Sequence, residues 1–110
     1  MTDSPAEVLV VLTTVPDAAT GERIAQTLVG ERLAACVNRL PGAISHYRWE
    51  GALQADAEEL LLVKTVRGML DRLQARLKEL HPYACPECLV LPAVGGSEAY
   101  LEWVRRETGP

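Results

Sequence analysis

The chain has 110 residues, 48% of them hydrophobic and 24% charged, a globular composition that excludes disorder. Only 5% are aromatic and Phe is absent, so Leu, Val and Ala must fill the interior. Eleven basic against fifteen acidic residues leave a net charge of −4, without the basic footprint of a general nucleic-acid binder.

A chain this long makes one domain, 1–110, and buries about 65% of its unfolded surface, enough for a core without disulfides. The opening Met1-Thr-Asp-Ser-Pro lacks the basic and apolar regions of a signal peptide, and residues 1–6 are expected to be flexible. The longest aliphatic run, Val8–Leu12, is far too short for a membrane span. Three Cys are odd in number and too few for a disulfide framework, so we expect reduced thiols and a cytoplasmic location.

Glu7–Thr14 is a continuous β-branched run, the pattern of a strand covered on both faces. Asp17 then caps a helix whose inner face carries Ile24, Ala25, Leu28 and Val29, and Gly30 ends it. Ala34–Trp49 alternates in two phases separated by Pro41-Gly42, a bend or bulge: Cys36, Asn38 and Leu40 share one side, Ser45, Tyr47 and Trp49 another. Glu50-Gly51 is a hairpin turn, and the return strand, about Leu53–Thr65, ends in a run, Leu60–Val63, expected to be fully buried.

Thr65 is placed to cap a second helix with an apolar stripe at Val66, Leu70, Leu73, Leu77 and Leu80. Pro82 stops that helix at His81. Cys88–Val94 is a last strand, and Ser97 caps a short helix with Tyr100, Trp103 and Val104 on one face. The order βαββαβ plus a terminal helix predicts an α+β, ferredoxin-like sandwich. Sixteen residues from Ala34 to Trp49 would span about 50 Å as a strand, against a compact diameter of roughly 34 Å. The hairpin therefore bends, or its aromatic arm reaches past its own domain toward a partner subunit.

Candidate chemistry is sparse. Cys85-Pro-Glu-Cys88 with His81 reads as a set of soft ligands for Zn or Cu(I), as a structural pair, or as a redox CxxC. His81 suits a helix C-terminus as a capping group as well as a ligand. Glu58 and Lys64 are an even number apart, so they share a strand face as a solvated pair or at a cleft, and Asn38 lies on the Cys36 side. Pro16 stands where a phosphate-cradling loop would want Gly, which argues against an acylphosphatase-like enzyme. No nucleophile–base–orienter set is present, and no enzyme is predicted.

Pro16-Asp17, Leu33-Ala-Ala-Cys-Val-Asn38, Pro41-Gly42, Ser45-x-Tyr47-x-Trp49-x-Gly51, Glu58 with Lys64-Thr65, His81-Pro-Tyr83, Pro86-Glu87 and Tyr100-Leu-x-Trp103 together resemble the CutA divalent-cation-tolerance family. The likeness runs from about Val8 to Val104. It implies a ferredoxin-like fold with a long bent hairpin, a homotrimer like the PII signalling proteins, and a cytoplasmic role linked to copper and other divalent cations, with no established catalysis. It also implies a cleft between subunits involving Cys36, Asn38, Tyr47, Trp49, Glu58, Lys64 and Glu87. His81, Cys85 and Cys88 are the candidate metal ligands, with no organic cofactor. The competing expectation is a PII-like sensor or adaptor, its cleft holding a small anionic ligand and its trimer contacting an unknown protein; Lys64 and Asn38 favour it.

Overall fold

The computed structural model describes residues 4–109. In chain order it has β1 (Val8–Val15), α1 (Ala18–Gly30), β2 (Cys36–Trp49), β3 (Ala52–Val66), a 3-10 turn at Arg67–Met69, α2 (Leu70–Leu80), β4 (Leu89–Pro92) and α3 (Glu98–Glu107). The strands form one sheet in the order β2-β3-β1-β4, antiparallel at every pairing. That is the ferredoxin-like α+β arrangement expected from the element order.

Local chemistry sets the boundaries. The Asp17 carboxylate accepts from the Thr20 amide at 2.8 Å and starts α1. Ser97 does the same for α3 through the Tyr100 amide at 3.1 Å. At the other end of α2, His81 turns extended before Pro82, as the steric rule for a residue preceding proline requires. Glu50 and Gly51 both take positive φ, the mirror-image turn that matches strand twist, and join β2 to β3. Gly42, at φ 87, sits in the register shift between Leu40 and Ala43, so Pro41-Gly42 is a bulge within a continuous strand.

Thr65 is not a helix cap. It remains in β3, fully buried, where its hydroxyl donates to the Leu33 carbonyl at 2.6 Å, and the helix follows only after Val66 and the 3-10 turn. The last strand is shorter than expected, Leu89–Pro92, because its partner β1 offers only Leu9–Leu12 to it and Val94 lies fully exposed beyond. Of the stretch 1–6 expected to be flexible, residues 1–3 lie outside the described residues. Ser4–Ala6 are tied down: the Pro5 carbonyl accepts from the Gly68 amide and the Ala6 carbonyl from Arg105.

The core lies between one sheet face and the helices. Val11, Val15, Leu61 and Val63 from the sheet meet Ile24, Leu28, Leu73 and Leu77 from α1 and α2, and Val104 from α3 joins them. Burying each such side chain contributes about 1.5–3 kcal/mol. Beneath α1, buried Glu59 receives Arg39 through Nε at 2.7 Å and Nη2 at 3.3 Å, closing the region with a fork-shaped ion pair.

The other sheet face is a different matter. β1 and β3 alternate between buried and half-buried residues, so the expectation of full burial at Leu60–Val63 fails for Leu60 and Leu62. Register places Leu12, Leu40, Leu60, Leu62, Leu89 and Leu91 together on this second face. Leu40, Leu89 and Leu91 are 41%, 53% and 44% exposed. β1 therefore has the composition of a two-sided buried strand while this chain covers only one side.

The hairpin arm also extends the molecule. The principal extents are 43, 29 and 23 Å, and fourteen residues of β2 at about 3.3 Å each account for the long axis. Beyond the bulge, Ile44, Tyr47, Trp49 and Leu53 are 60%, 42%, 51% and 77% exposed.

Candidate functional site

A cleft of about 720 Å³ lies between the arm and the connection between α2 and β4. β2 supplies Tyr47 and Trp49 and β3 supplies Glu58; strand parity puts all three on the side of Leu60 and Leu62. The connection supplies Tyr83, Cys85 and Glu87.

Two phenols organise the wall. Tyr83 donates to Glu58 Oε2 at 2.6 Å, and Tyr47 donates to Asp56 across the hairpin. Burial, followed by the bond to Glu58, pushes the Tyr83 hydroxyl well above its ordinary range. The bond to Asp56 is the main cause of a rise at Tyr47. Both therefore stay protonated donors far above neutral pH.

His81 holds the connection in place. Its Nε2 lies 2.7 Å from the Thr14 carbonyl, which can only accept, so Nε2 carries the proton. Its Nδ1 accepts from the Tyr83 amide at 3.1 Å, and the two rings sit 4.7 Å apart. Both ring nitrogens are thus engaged within the chain, and the residue is 7% exposed. His81→Ala should leave the Thr14 carbonyl and the Tyr83 amide without these partners and cost about 2 kcal/mol. We expect a lower melting temperature and faster amide exchange through Tyr83–Glu87; unchanged values of both would contradict this role.

The residues expected in one cleft fall into two groups. Tyr47, Trp49, Glu58 and Glu87 line it. Cys36, Asn38 and Lys64 do not; they form a separate polar patch further along the same face, where Asn38 Oδ1 accepts from Lys64 and lies 3.8 Å from Cys36 Sγ. Of the thiols, Cys85 is exposed at the cleft, and half-buried Cys88 accepts from Gln74 Nε2 at 3.6 Å. Among the described residues, no group of three or more His, Cys, Asp or Glu stands close enough to hold a metal ion. To serve as a ligand, His81 would have to give up two contacts.

Sequence reasoning missed Asp56 and the structural part of Tyr83. Asp56 lies opposite Ser45 in the hairpin register, two residues from Tyr47 on the same face, so counting back from Glu50-Gly51 would have found it. No local signal points from Tyr83 to Glu58.

Residues 9–107 match the family described as CutA1 divalent ion tolerance protein. The chain belongs to this family. It is similar to the divalent-cation tolerance protein CutA of Thermus thermophilus, 51% identical over 100 residues that cover 91% of this chain and 97% of that one. The solved Cut A1 structure from the same organism matches with a TM-score of 0.91 at 50% identity, over 93% of this chain and 99% of that chain. Rice CutA1 matches with a TM-score of 0.91 at 47% identity over 94% of each chain. The curated rice protein, CutA 1, is longer: the 48% identical region covers 91% of this chain and 56% of it. The rice protein is named as chloroplastic, and a CutA structure from Archaeoglobus fulgidus, 31% identical with a TM-score of 0.88 over 91% of this chain and 97% of that chain, is described as periplasmic. The CutA1 description names tolerance of divalent ions and no reaction. Among the described residues no helix is long and apolar enough to cross a membrane.

Proposed function

We propose that this CutA1-family chain, a single domain over 1–110, works in the cytoplasm as a homotrimer in divalent-cation tolerance. It acts by binding and not by catalysis, with copper the foremost cation. The observation that carries the reading is the uncovered leucine face, continuous with the projecting arm. Apolar surface of this extent is stabilised by being removed from water, and a closed ring of identical subunits covers it without leaving an edge. The cleft at Tyr47, Trp49, Glu58 and Glu87 then lies beside a subunit boundary, with the Cys36, Asn38 and Lys64 patch further along the same face.

Metal enters this reading as cargo. Cys85 and Cys88 are the soft donors available to it, with water or a neighbouring subunit completing the sphere, and His81 shapes their loop. Copper should bind more tightly than zinc at such donors, and binding should weaken as pH falls because thiols must lose protons. Anaerobic calorimetry on reduced protein is expected to give Cu(I) binding at least tenfold weaker in Cys85→Ser/Cys88→Ser. A double variant that binds as wild type does would remove these thiols from the function.

A second reading, a PII-like sensor of a small ligand, is favoured by one observation. The cleft has the size and aromatic walls of a small-molecule site, which a bare ion does not require.

A further inference from the structure

We infer that the cleft takes an organic ammonium cation, a molecule with an apolar body and a charged amine head. This rests on the reading of that cleft as the binding site and names its ligand class. The volume of about 720 Å³ lies within the range of small-molecule sites and far above that of an ion.

The walls are of two kinds. Trp49, Tyr47 and Tyr83, with Pro82 and Ala84, give aromatic and aliphatic surface. Glu58 and Glu87 give carboxylates, with Asp56 behind Tyr47. Among the described residues no lysine or arginine lines the cleft; His46 is its one imidazole. Lys64, which supported the expectation of an anionic ligand, is instead bound to Asn38 in the separate patch.

The hydroxyls of Tyr47 and Tyr83 already donate to Asp56 and Glu58, so what these residues leave to a ligand is the aromatic surface that lines the cleft. Tyr83 occupies one oxygen of Glu58; the second oxygen of that carboxylate can only accept. A ligand complementary to such walls is a donor and positively charged. An ammonium head gains a charge-assisted bond at Glu58 and a cation–π contact on the Trp49 indole, while its chain covers Pro82 and Ala84. A hard divalent ion would want a shell of oxygens, which these aromatic walls do not supply. The net charge of −4 favours the approach of a cation.

The test uses three probes with the same butyl chain and different heads: n-butylammonium, n-butanol and butyrate. Each is titrated at pH 8 into the full-length protein in its native assembly and followed by NMR shifts of the Trp49 indole. We expect n-butylammonium to bind at least tenfold more tightly than n-butanol, and butyrate not at all. Glu58→Gln, which keeps an acceptor for Tyr83 while removing the charge, should cut the ammonium affinity about tenfold and leave butanol unchanged. Trp49→Phe, which keeps an aromatic ring, should weaken it less, read from the shifts of Tyr47 and Tyr83. Butanol or butyrate binding as tightly as the amine overturns the cationic class and leaves the cleft standing as a site. Failure of all three probes to bind overturns both.

Discussion

Leu62→Glu is expected to dissociate the assembly into 12 kDa monomers. Leu62 sits in the middle of the uncovered face, with Leu12 of β1 beside it on one side and Asn38 of β2 on the other. It is half-buried within its own chain, so the subunit tolerates a polar head there. In a trimer the same position meets a neighbour. Losing the leucine costs about 2 kcal/mol of apolar burial, and an unpaired carboxylate in such an interface costs several more. A closed ring repeats that penalty at every boundary. Light scattering should report the monomer at micromolar concentration, with a lower melting temperature. Val29→Glu is the control, since Val29 is 41% exposed on α1, and its assembly should be unchanged. A Leu62→Glu protein that keeps the wild-type mass would show that this face is not the contact.

Gly21→Ala is expected to destabilise the fold even though it improves a helix. Within α1, where Gly21 is the fourth residue, alanine is worth up to about 1 kcal/mol over glycine. A Cβ at Gly21, however, would collide with the Glu59 carboxylate and press on Val15 Cγ2 at 3.3 Å. Glu59 is 5% exposed and held by Arg39, so the carboxylate cannot swing into water without leaving its partner. Breaking a buried pair costs about 3–5 kcal/mol, which outweighs the gain. The balance is a loss of about 2 kcal/mol or more, a fall of roughly 10 °C in melting temperature for a domain of this size. Gly21→Ala/Glu59→Ala should show strong coupling, with the second change costing less than it does alone. A Gly21→Ala variant that melts at or above wild type would contradict this account of the glycine.

What the sequence made legible was chemistry that acts over a few residues. Asp17 and Ser97 as caps, Pro82 as a stop, Glu50-Gly51 as a turn and Pro41-Gly42 as a bulge all follow from local sterics and short-range hydrogen bonds. Thr65 misled because threonine is a good cap, while its actual partner, the Leu33 carbonyl, is 32 positions away. His81 shows the same limit: its spacing to Cys85 and Cys88 is local and legible, while its partner at Thr14 is 67 residues distant and is not. Parity put Glu58 and Lys64 on one face, but the two phases of Ala34–Trp49 were expected to set Asn38 and Tyr47 on different sides; the bulge at Pro41-Gly42 shifts the register and brings both to the face of Leu60 and Leu62, along which fourteen residues hold two separate groups. The β-branched run at Val8–Val15 was informative in a way a single chain does not display. Under the proposed trimer, neighbouring subunits supply the cover for its second face.

In the proposed trimer the leucine face is covered by further copies of this chain, and the cleft on the arm stays open beside the boundary. The most direct measurement is the absolute mass in solution by light scattering, taken across a dilution series down to nanomolar concentration. A trimer keeps a constant mass three times that of the 12.0 kDa chain, because an obligate interface of this kind buries more than about 2,000 Å² and does not dissociate on modest dilution. A folded species at the mass of one chain, stable at micromolar concentration, would contradict it.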